Sequence, residues 1–473
     1  MLSVPKYAIG MIGLGVMGRN LLLNMAEHGY AVAGYDTDLE KVQALKTEGQ
    51  GHDIQGAKSI EELVKLLSVP RTIILLVPAG PPVDAVIQEL LRYLQPGDLI
   101  IDGGNSHFVD TGRRQKMLSD KRIDFLGVGI SGGEYGARHG PSLMPGGTRQ
   151  AFEKVKPIFE AVAAKVNGEP CVTYLGPGSA GHYVKMVHNG IEYGLIELIA
   201  ESYDLMKRGL DLNDDQLHNI FAFWNQGELQ SYLIEITANI FRQPDEKTGK
   251  RLIDVILDQA RQKGTGTWTS EDAMELRVPI PTIDIAVSMR DLSDFRPERA
   301  AASQCLPGPS ALLQVNRKSF LEQLAGALYM GMILTYAQGM SLLRKASTSH
   351  QYDLHLDDIA RIWRGGCIIR SEFLENVQRA FHNKPDQTNL MMDTHISSEL
   401  IAHQSDLRAV VCAAAESGIP VSAFMNSLAY FDGYRSGRLP ANLIQAQRDY
   451  FGSHTYQRVD EEGAFHTVWN EDQ

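Results

Sequence analysis

The chain predicts an α/β domain with a doubly wound parallel sheet, then a large all-α domain built from a duplicated helical unit, and finally a tail. Three observations carry this reading. Short apolar runs alternate with helical stretches up to about Leu175. Helical periodicity then holds from Ser179 to about Gly433. Blocks of the helical part recur farther along it. The implied boundaries are 1–178, 179–434 and 435–473, the last segment being rich in polar and aromatic residues without a periodic face.

The first element is the apolar run Ile9–Ile12, which enters a loop with glycines at 13, 15 and 18 and leaves it as an amphipathic helix. That loop needs a tight turn, a backbone able to touch a pyrophosphate, and a bare surface where helix meets strand. The helix start offers free N–H groups and a positive dipole end. The next strand, Ala31–Tyr35, ends in Asp36, whose carboxylate can accept from both hydroxyls of an adenosine ribose. Glycine spacing alone says little. With strand, helix and terminal acid in place it reads as a Rossmann-type dinucleotide site formed by Gly13, Gly15, Val16, Met17, Gly18, Asp36 and Thr37, with Val77, Ala79 and Asn105 at later strand ends.

Further strands are expected at Thr72–Val77, Leu99–Asp102, Phe125–Val128 and Val172–Leu175, before Gly176-Pro177-Gly178 breaks the pattern. The loops Asp102–Ser106 and Ser131–Gly133 follow strands at the carboxyl edge, where open α/β sheets bind ligands.

Size and charge narrow the function. A chain of 473 residues exceeds what one core organises. A net charge of −12 opposes nonspecific binding to nucleic acid or anionic membranes, so an anionic substrate needs a locally basic pocket. Cys171, Cys305, Cys367 and Cys412 show no metal-ligand spacing and are expected as reduced, mostly buried thiols; no metal is expected. No run spans a bilayer, and a strand from about Tyr7 leaves no room for a signal peptide, so the cytoplasm is the expected compartment.

In the helical part, Gly194-Leu195-Ile196 with Ala200, Leu205 and Met206 aligns with Gly331-Met332-Ile333, Ala337, Leu342 and Leu343, and Trp224 and Gly227 with Trp363 and Gly366. This reads as a duplication. Lys185, His188 and Glu192 of the first copy then match Glu322, Ala325 and Tyr329 of the second, so one copy carries chemistry and the other structure.

The segment Gly181–Tyr193 reads as a helix on which Lys185, His188 or Asn189, and Glu192 share one face beside an apolar one. A solvated Lys–Glu stripe is the bland alternative. Against it stand the His and Asn on the same face and the position just after the nucleotide domain, where ligands bind between domains. Gln262–Thr267 combines a cation, hydroxyls and backbone N–H groups suited to a phosphate, without the spacing of a nucleotide triphosphatase. Arg290, Arg448 and His454 are further candidates.

Long blocks then identify a family. Ile101–Ser106, Gly140–Gly147, Val184–Tyr193, Gln262–Gly266, Trp363–Arg370 and Gln445–Gly452 together resemble the decarboxylating 6-phosphogluconate dehydrogenases of the oxidative pentose phosphate pathway, from Ile9 to about Tyr456. The resemblance implies oxidation of C3 of 6-phosphogluconate with hydride passed to nicotinamide, loss of CO2, and protonation at C1 to give ribulose 5-phosphate. It implies Lys185 as general base, neutral at the first step through burial and nearby cations, and Glu192 as the acid. Asn105, Ser131, Gly132, Gly133, His188 and Asn189 would hold the sugar acid; Tyr193, Lys263, Thr265, Arg290, Arg448 and His454 would surround the phosphate. Arg448 and His454 would come from the other subunit of a homodimer, into which the tail threads.

Two departures bear on the cofactor. NADP-using members usually carry Asn-Arg-Thr where this chain has Asp36, Thr37 and Asp38, and a family lysine is replaced within Val77-Pro78-Ala79-Gly80. Two carboxylates in place of a guanidinium repel a 2′-phosphate, so NAD is expected in preference to NADP, unless Arg19 or Lys41 swings in. The rivals are another β-hydroxyacid dehydrogenase, which would lack the second helical copy and the Arg448/His454 tail, and a cofactor-binding protein without turnover, which the joint presence of Lys185 and Glu192 disfavours.

Overall fold

Apolar runs that can be buried on both faces need helices on both sides, and the first part of the chain is built that way. The computed structural model describes residues 7–310 and 312–469. Seven strands form one sheet: β1 (Ile9–Ile12), β2 (Val32–Tyr35), β3 (Ile54–Gly56), β4 (Thr72–Leu75), β5 (Leu99–Asp102), β6 (Asp124–Ser131) and β7 (Ser142–Gly147). Their order is β3-β2-β1-β4-β5-β6-β7, parallel throughout except for β7, which runs antiparallel to β6. One face is covered by a core that includes Leu22 and Phe159, the other by one that includes Leu63, Ile87 and Leu118. The order reverses between β1 and β4, so a crevice opens at their carboxyl ends.

One strand expectation needs correction, and strand β7 was not foreseen. Val172–Leu175 is not a strand: Val172 makes a single bridge to Leu143. The segment does run beside β7, with Leu143 N–H donating to Cys171 O and Leu175 N–H to Pro145 O. Pro145 has no N–H with which to continue the ladder, which breaks the pairing there. The edge strand is β7 itself, Ser-Leu-Met-Pro-Gly-Gly, whose composition disfavours a strand and gave no signal.

From Ala180 onward, among the described residues of the larger compact unit, which ends at Ser427, the named elements are all helices. A 25-residue helix, Ala180–Asp204, packs along the 33-residue helix Arg317–Ser349. An added Cβ at Gly194 would meet Thr335, and one at Gly331 would meet Leu198. Counted from the aligned glycines, Leu198 and Thr335 hold the same position, so these are one contact made twice with the copies exchanged. The same symmetry brings Ser231 against Ser371 in an antiparallel bridge. Such reciprocal contacts are what two copies packed about a local two-fold axis produce. At the positions matching Lys185, His188 and Glu192, the second copy's Glu322, Ala325 and Tyr329 line an apolar hollow with Phe223 and Trp224.

The second compact unit is 428–473, described to Trp469. It holds a helix, Ala441–Gly452, that the absence of a periodic face had hidden. Asp449 is buried and accepts from Thr455 N–H, Thr467 N–H, His466 Nδ1 and Trp469 Nε1 at 2.9 to 3.0 Å. Burial raises its carboxyl, but these donors win and hold it at about 2.

No cysteine is in a disulfide: Cys171 and Cys367 are buried, whereas Cys305 and Cys412 are exposed, contrary to the expectation of mostly buried thiols. Among the described residues no helix is long and apolar enough to cross a membrane.

Candidate active site

The glycine loop after β1 behaves as its spacing predicts. Gly13 has φ +98, and a Cβ there would lie 2.4 Å from Leu76 O, just past the end of neighbouring β4. A Cβ on Gly18 would sit 1.9 Å from Gly13 O, so helix Val16–Glu27 can start this close to its strand only without a side chain. Gly15 has nothing within 4 Å: the space above it is open, as a pyrophosphate requires. Val16 is half exposed and Met17 partly so at the same helix start. Across the crevice, Val77 and Ala79 lie in the loop leading to helix Pro81–Leu90.

Asp36 is buried, and its two oxygens already accept backbone bonds. Oδ2 accepts from Leu14 N–H at 2.7 Å, tying the strand end to the glycine loop, and Oδ1 accepts from Asp38 N–H at 2.9 Å. Lys41 Nζ lies 3.6 Å from Asp36 and 3.7 Å from Asp38, so one cation serves two carboxylates and the corner stays negative. Arg19 is paired with Glu48 at 3.0 Å. Thr37 is exposed. Open space over Gly15, donors at a helix start and an acid at the β2 end fit a dinucleotide.

The helix Ala180–Asp204 lies across β6 and β7. A Cβ at Gly129 on β6 would be 2.4 Å from Lys185 Cβ, so this glycine lets the helix settle onto the sheet. Lys185 is therefore 5% exposed, not in bulk solvent. Its Nζ donates to Asn189 Oδ1 at 2.5 Å, one turn along the helix. His188 Nδ1 is 3.1 Å from the same oxygen, and its Nε2 is 3.3 Å from Ser131 Oγ. Asn189 Nδ2 donates to Thr265 Oγ1 at 3.2 Å. One chain of bonds thus joins Ser131, His188, Asn189, Lys185 and Thr265. Gly132 and Gly133 follow with φ of +124 and +62, and a Cβ on Gly132 would strike Gly366 O, so this turn is closed by the loop after Trp363.

Burial pushes the Lys185 amine below its ordinary value. The expected help from nearby cations does not appear: its acting neighbours, Glu192 and Cys367, both favour the ammonium. Desolvation alone outweighs them. His188 is driven far below its ordinary value by burial and by Lys185, so it is neutral, with Nδ1–H donating to Asn189 and Nε2 accepting from Ser131. Burial raises Glu192 against the pull of Lys185 and Arg290, which favours its protonated form. An amine shifted toward neutrality and a carboxyl shifted toward its acid form, two turns apart, can act as base and acid near neutral pH.

At the other end, two groups pack against the Tyr193 ring. The Arg290 guanidinium stands 3.6 Å from its centroid, and a Cβ on Gly266 would lie 2.6 Å from its Cε2. Thr265 opens helix Thr265–Glu275 after Gly264, and Lys263 is exposed just before it. Gln262 holds this loop to Asp291, next to Arg290, at 2.6 Å. Asn105, Ser106, His182, Lys185, Thr265 and Trp268 line one small cavity. His182 and Trp268 were not singled out from the sequence; the one available signal was that His182 precedes Lys185 by a helical turn. Arg448, in helix Ala441–Gly452, and His454, just after it, are both exposed.

A family model described as the C-terminal domain of 6-phosphogluconate dehydrogenase matches residues 181–469, and one described as its NAD binding domain matches residues 8–176. A Bacillus subtilis protein named 6-phosphogluconate dehydrogenase, NADP(+)-dependent, decarboxylating, is 51% identical over 467 residues, covering 98% of this chain and 100% of its own length. A Synechococcus elongatus 6-phosphogluconate dehydrogenase, decarboxylating, is 52% identical over 464 residues, covering 97% and 98%. The structure of the Plasmodium falciparum 6-phosphogluconate dehydrogenase, studied in apo form and with NADP+ or 6-phosphogluconate, superposes with a TM-score of 0.95 at 45% identity, covering 98% and 100%.

Proposed function

The chain belongs to the 6-phosphogluconate dehydrogenase family, whose decarboxylating activity with a nicotinamide cofactor it shares; we propose that Lys185 and Glu192 carry its acid–base steps and that it prefers NAD to NADP. The observation behind the first part is the buried Lys185 amine, hydrogen-bonded to Asn189 in a cavity shared with Asn105. Neutral Lys185 takes the C3 hydroxyl proton of 6-phosphogluconate. The glycine loop and Asp36, with Val77, Ala79 and Asn105 on the far side, would hold the cofactor, which would supply an acceptor for the C3 hydride. The Lys185 ammonium then donates to the new C3 carbonyl oxygen as CO2 leaves, stabilising the enediol. Glu192, whose burial favours its acid form, protonates C1 of the product while Lys185 takes back the enol proton, leaving ribulose 5-phosphate. Ser131, Gly132, Gly133, His188 and Asn189 hold the sugar acid, and Tyr193, Lys263, Thr265 and Arg290 hold the phosphate.

NAD preference rests on the Asp36 corner. A 2′-phosphate there would meet two carboxylates sharing one ammonium. Arg19 is its natural counter-ion but is engaged by Glu48. A partly exposed pair of that kind contributes no more than about 1 kcal/mol, so the two carboxylates rather than the Glu48 tether carry the discrimination. The Bacillus subtilis relative bears an NADP-dependent name, which leans away from NAD and makes residues 36–38 of this chain the place to test.

The working unit is a homodimer in which Arg448 and His454 of one chain complete the phosphate end of the other, the tail from residue 435 reaching across. A spectrophotometric assay of 6-phosphogluconate with NAD and NADP in parallel, with CO2 trapping, tests the whole reading. Equimolar CO2 and reduced cofactor are expected, with a higher kcat/KM for NAD. A higher kcat/KM for NADP overturns the cofactor assignment, and oxidation without CO2 overturns the reaction.

A further inference from the structure

One fully buried guanidinium takes no part in the chemistry above. Arg114, on helix Phe108–Ser119, is 0% exposed. Its Nε and Nη2 donate to the two oxygens of Asp84 at 2.9 and 3.0 Å, and Nη2 also donates to Gly80 O at 2.9 Å. Its Nη1 donates to Asp102 Oδ2 and to Ser106 Oγ, each at 3.2 Å. Gly80 and Asp84 belong to the turn and first helical residues after β4; Asp102 ends β5 and Ser106 closes the loop behind it. Asp102 binds that loop from within as well, accepting from Ser106 Oγ at 2.7 Å and Gly104 N–H at 3.1 Å.

We propose that Arg114 is a positioning residue whose fork holds the loops after β4 and β5 as one body, keeping Val77 and Ala79 at a set spacing from Asn105. The inference rests on reading these loops as the far side of the cofactor cleft. A buried ion pair is weak evidence for stability, since an apolar cluster of equal volume does as well. What such a cluster cannot do is bond five acceptor atoms on two loops in one plane, and a lysine cannot either. Hydrogen bonding to Arg114, with help from Arg113, holds the Asp84 carboxyl below its usual range, so the pair stays ionised at working pH.

The test is Arg114→Lys, which keeps the charge and removes the fork. Hydrogen exchange without ligand is expected to quicken in 77–84 and 102–106 together while the rest of the sheet keeps its protection. The cofactor Kd and KM are expected to rise about tenfold or more, with the Kd for 6-phosphogluconate alone moving far less. Ser106→Ala, which removes one bond of the Arg114 fork together with the Ser106–Asp102 bond inside the same loop, should shift both readouts in the same direction by less, and it decides the matter if the lysine variant does not fold. Unchanged exchange and cofactor Kd, loosening of one loop only, or loosening of the whole domain overturns the inference. If the parent lacks dehydrogenase turnover, the functional reading fails, while the exchange measurement still decides whether Arg114 couples the loops.

Discussion

Glu201 and Gln338 hold the same place in the two helical copies, and each seals the first turn of a helix that begins at or just after an Ile-Pro pair in the other copy. Glu201 accepts from Ala423 N–H at 2.6 Å and Phe424 N–H at 3.0 Å; Gln338 accepts from Thr282 N–H at 3.0 Å. One seal is a carboxyl group and the other an amide, so only one of the two symmetric seals can ionise.

That difference predicts a pH effect on stability. Burial pushes Glu201 up to about 8, against its two N–H bonds and with help from Glu197 and Asp204. A carboxyl raised in the folded state binds more protons there than in the unfolded chain, so its contribution falls as pH rises from about 4 to 8. Glu201→Gln removes that titration. Near pH 5 the two proteins should melt alike; by pH 9 the variant should be the more stable, by on the order of 3 kcal/mol. A pH-independent difference in Tm rejects this.

The glycine loop offers a pair of variants with opposite effects. Gly18→Ala puts a methyl into Gly13 O and should lower Tm by several degrees. Gly15→Ala meets nothing and should melt like the parent, yet weaken cofactor binding about tenfold or more by blocking the pyrophosphate. Thermal melts beside a cofactor titration distinguish them, and equal Tm losses would contradict the geometry.

The acid–base pair should be visible in pH–rate profiles. A base must be deprotonated, so kcat/KM should fall on the acid side of an apparent pKa below the ordinary lysine value; a protonated acid gives the alkaline limb. Lys185→Met should cost about 10²–10⁴-fold in kcat and lose the acid limb, while Glu192→Gln should flatten the alkaline one. Retained activity in Lys185→Met sinks the assignment.

Cofactor choice should follow charge at the β2 end. Asp36→Asn combined with Thr37→Arg should raise the NADP-to-NAD ratio of kcat/KM about 100-fold, equivalent to ~3 kcal/mol. An unchanged ratio in a variant that still turns over would move the determinant elsewhere.

Much of the site was legible because its parts are local. The glycine loop with Asp36 and the Lys185–Asn189 spacing lie within short windows where periodicity speaks directly. Other features gave no such signal. Edge strand β7 hid behind Pro145 and its glycines. Arg114 reads in sequence as one of two adjacent surface arginines, and only its neighbours on two loops reveal a buried fork. The helix around Arg448 went unseen because Asp449, rather than an apolar stripe, organises its surroundings.

By itself the amino-acid order determined the alternation of strand and helix, the dinucleotide loop, the recurrence of the helical unit and the single face bearing Lys185 and Glu192, since each depends on residues a few positions apart or on repeated spelling. Only the tertiary structure decided that the Lys185 amine is desolvated, that Ser131 meets His188, that Arg290 covers Tyr193 and that one guanidinium joins two loops. These depend on contacts between segments far apart in the chain, and ionisation follows the surroundings such contacts create.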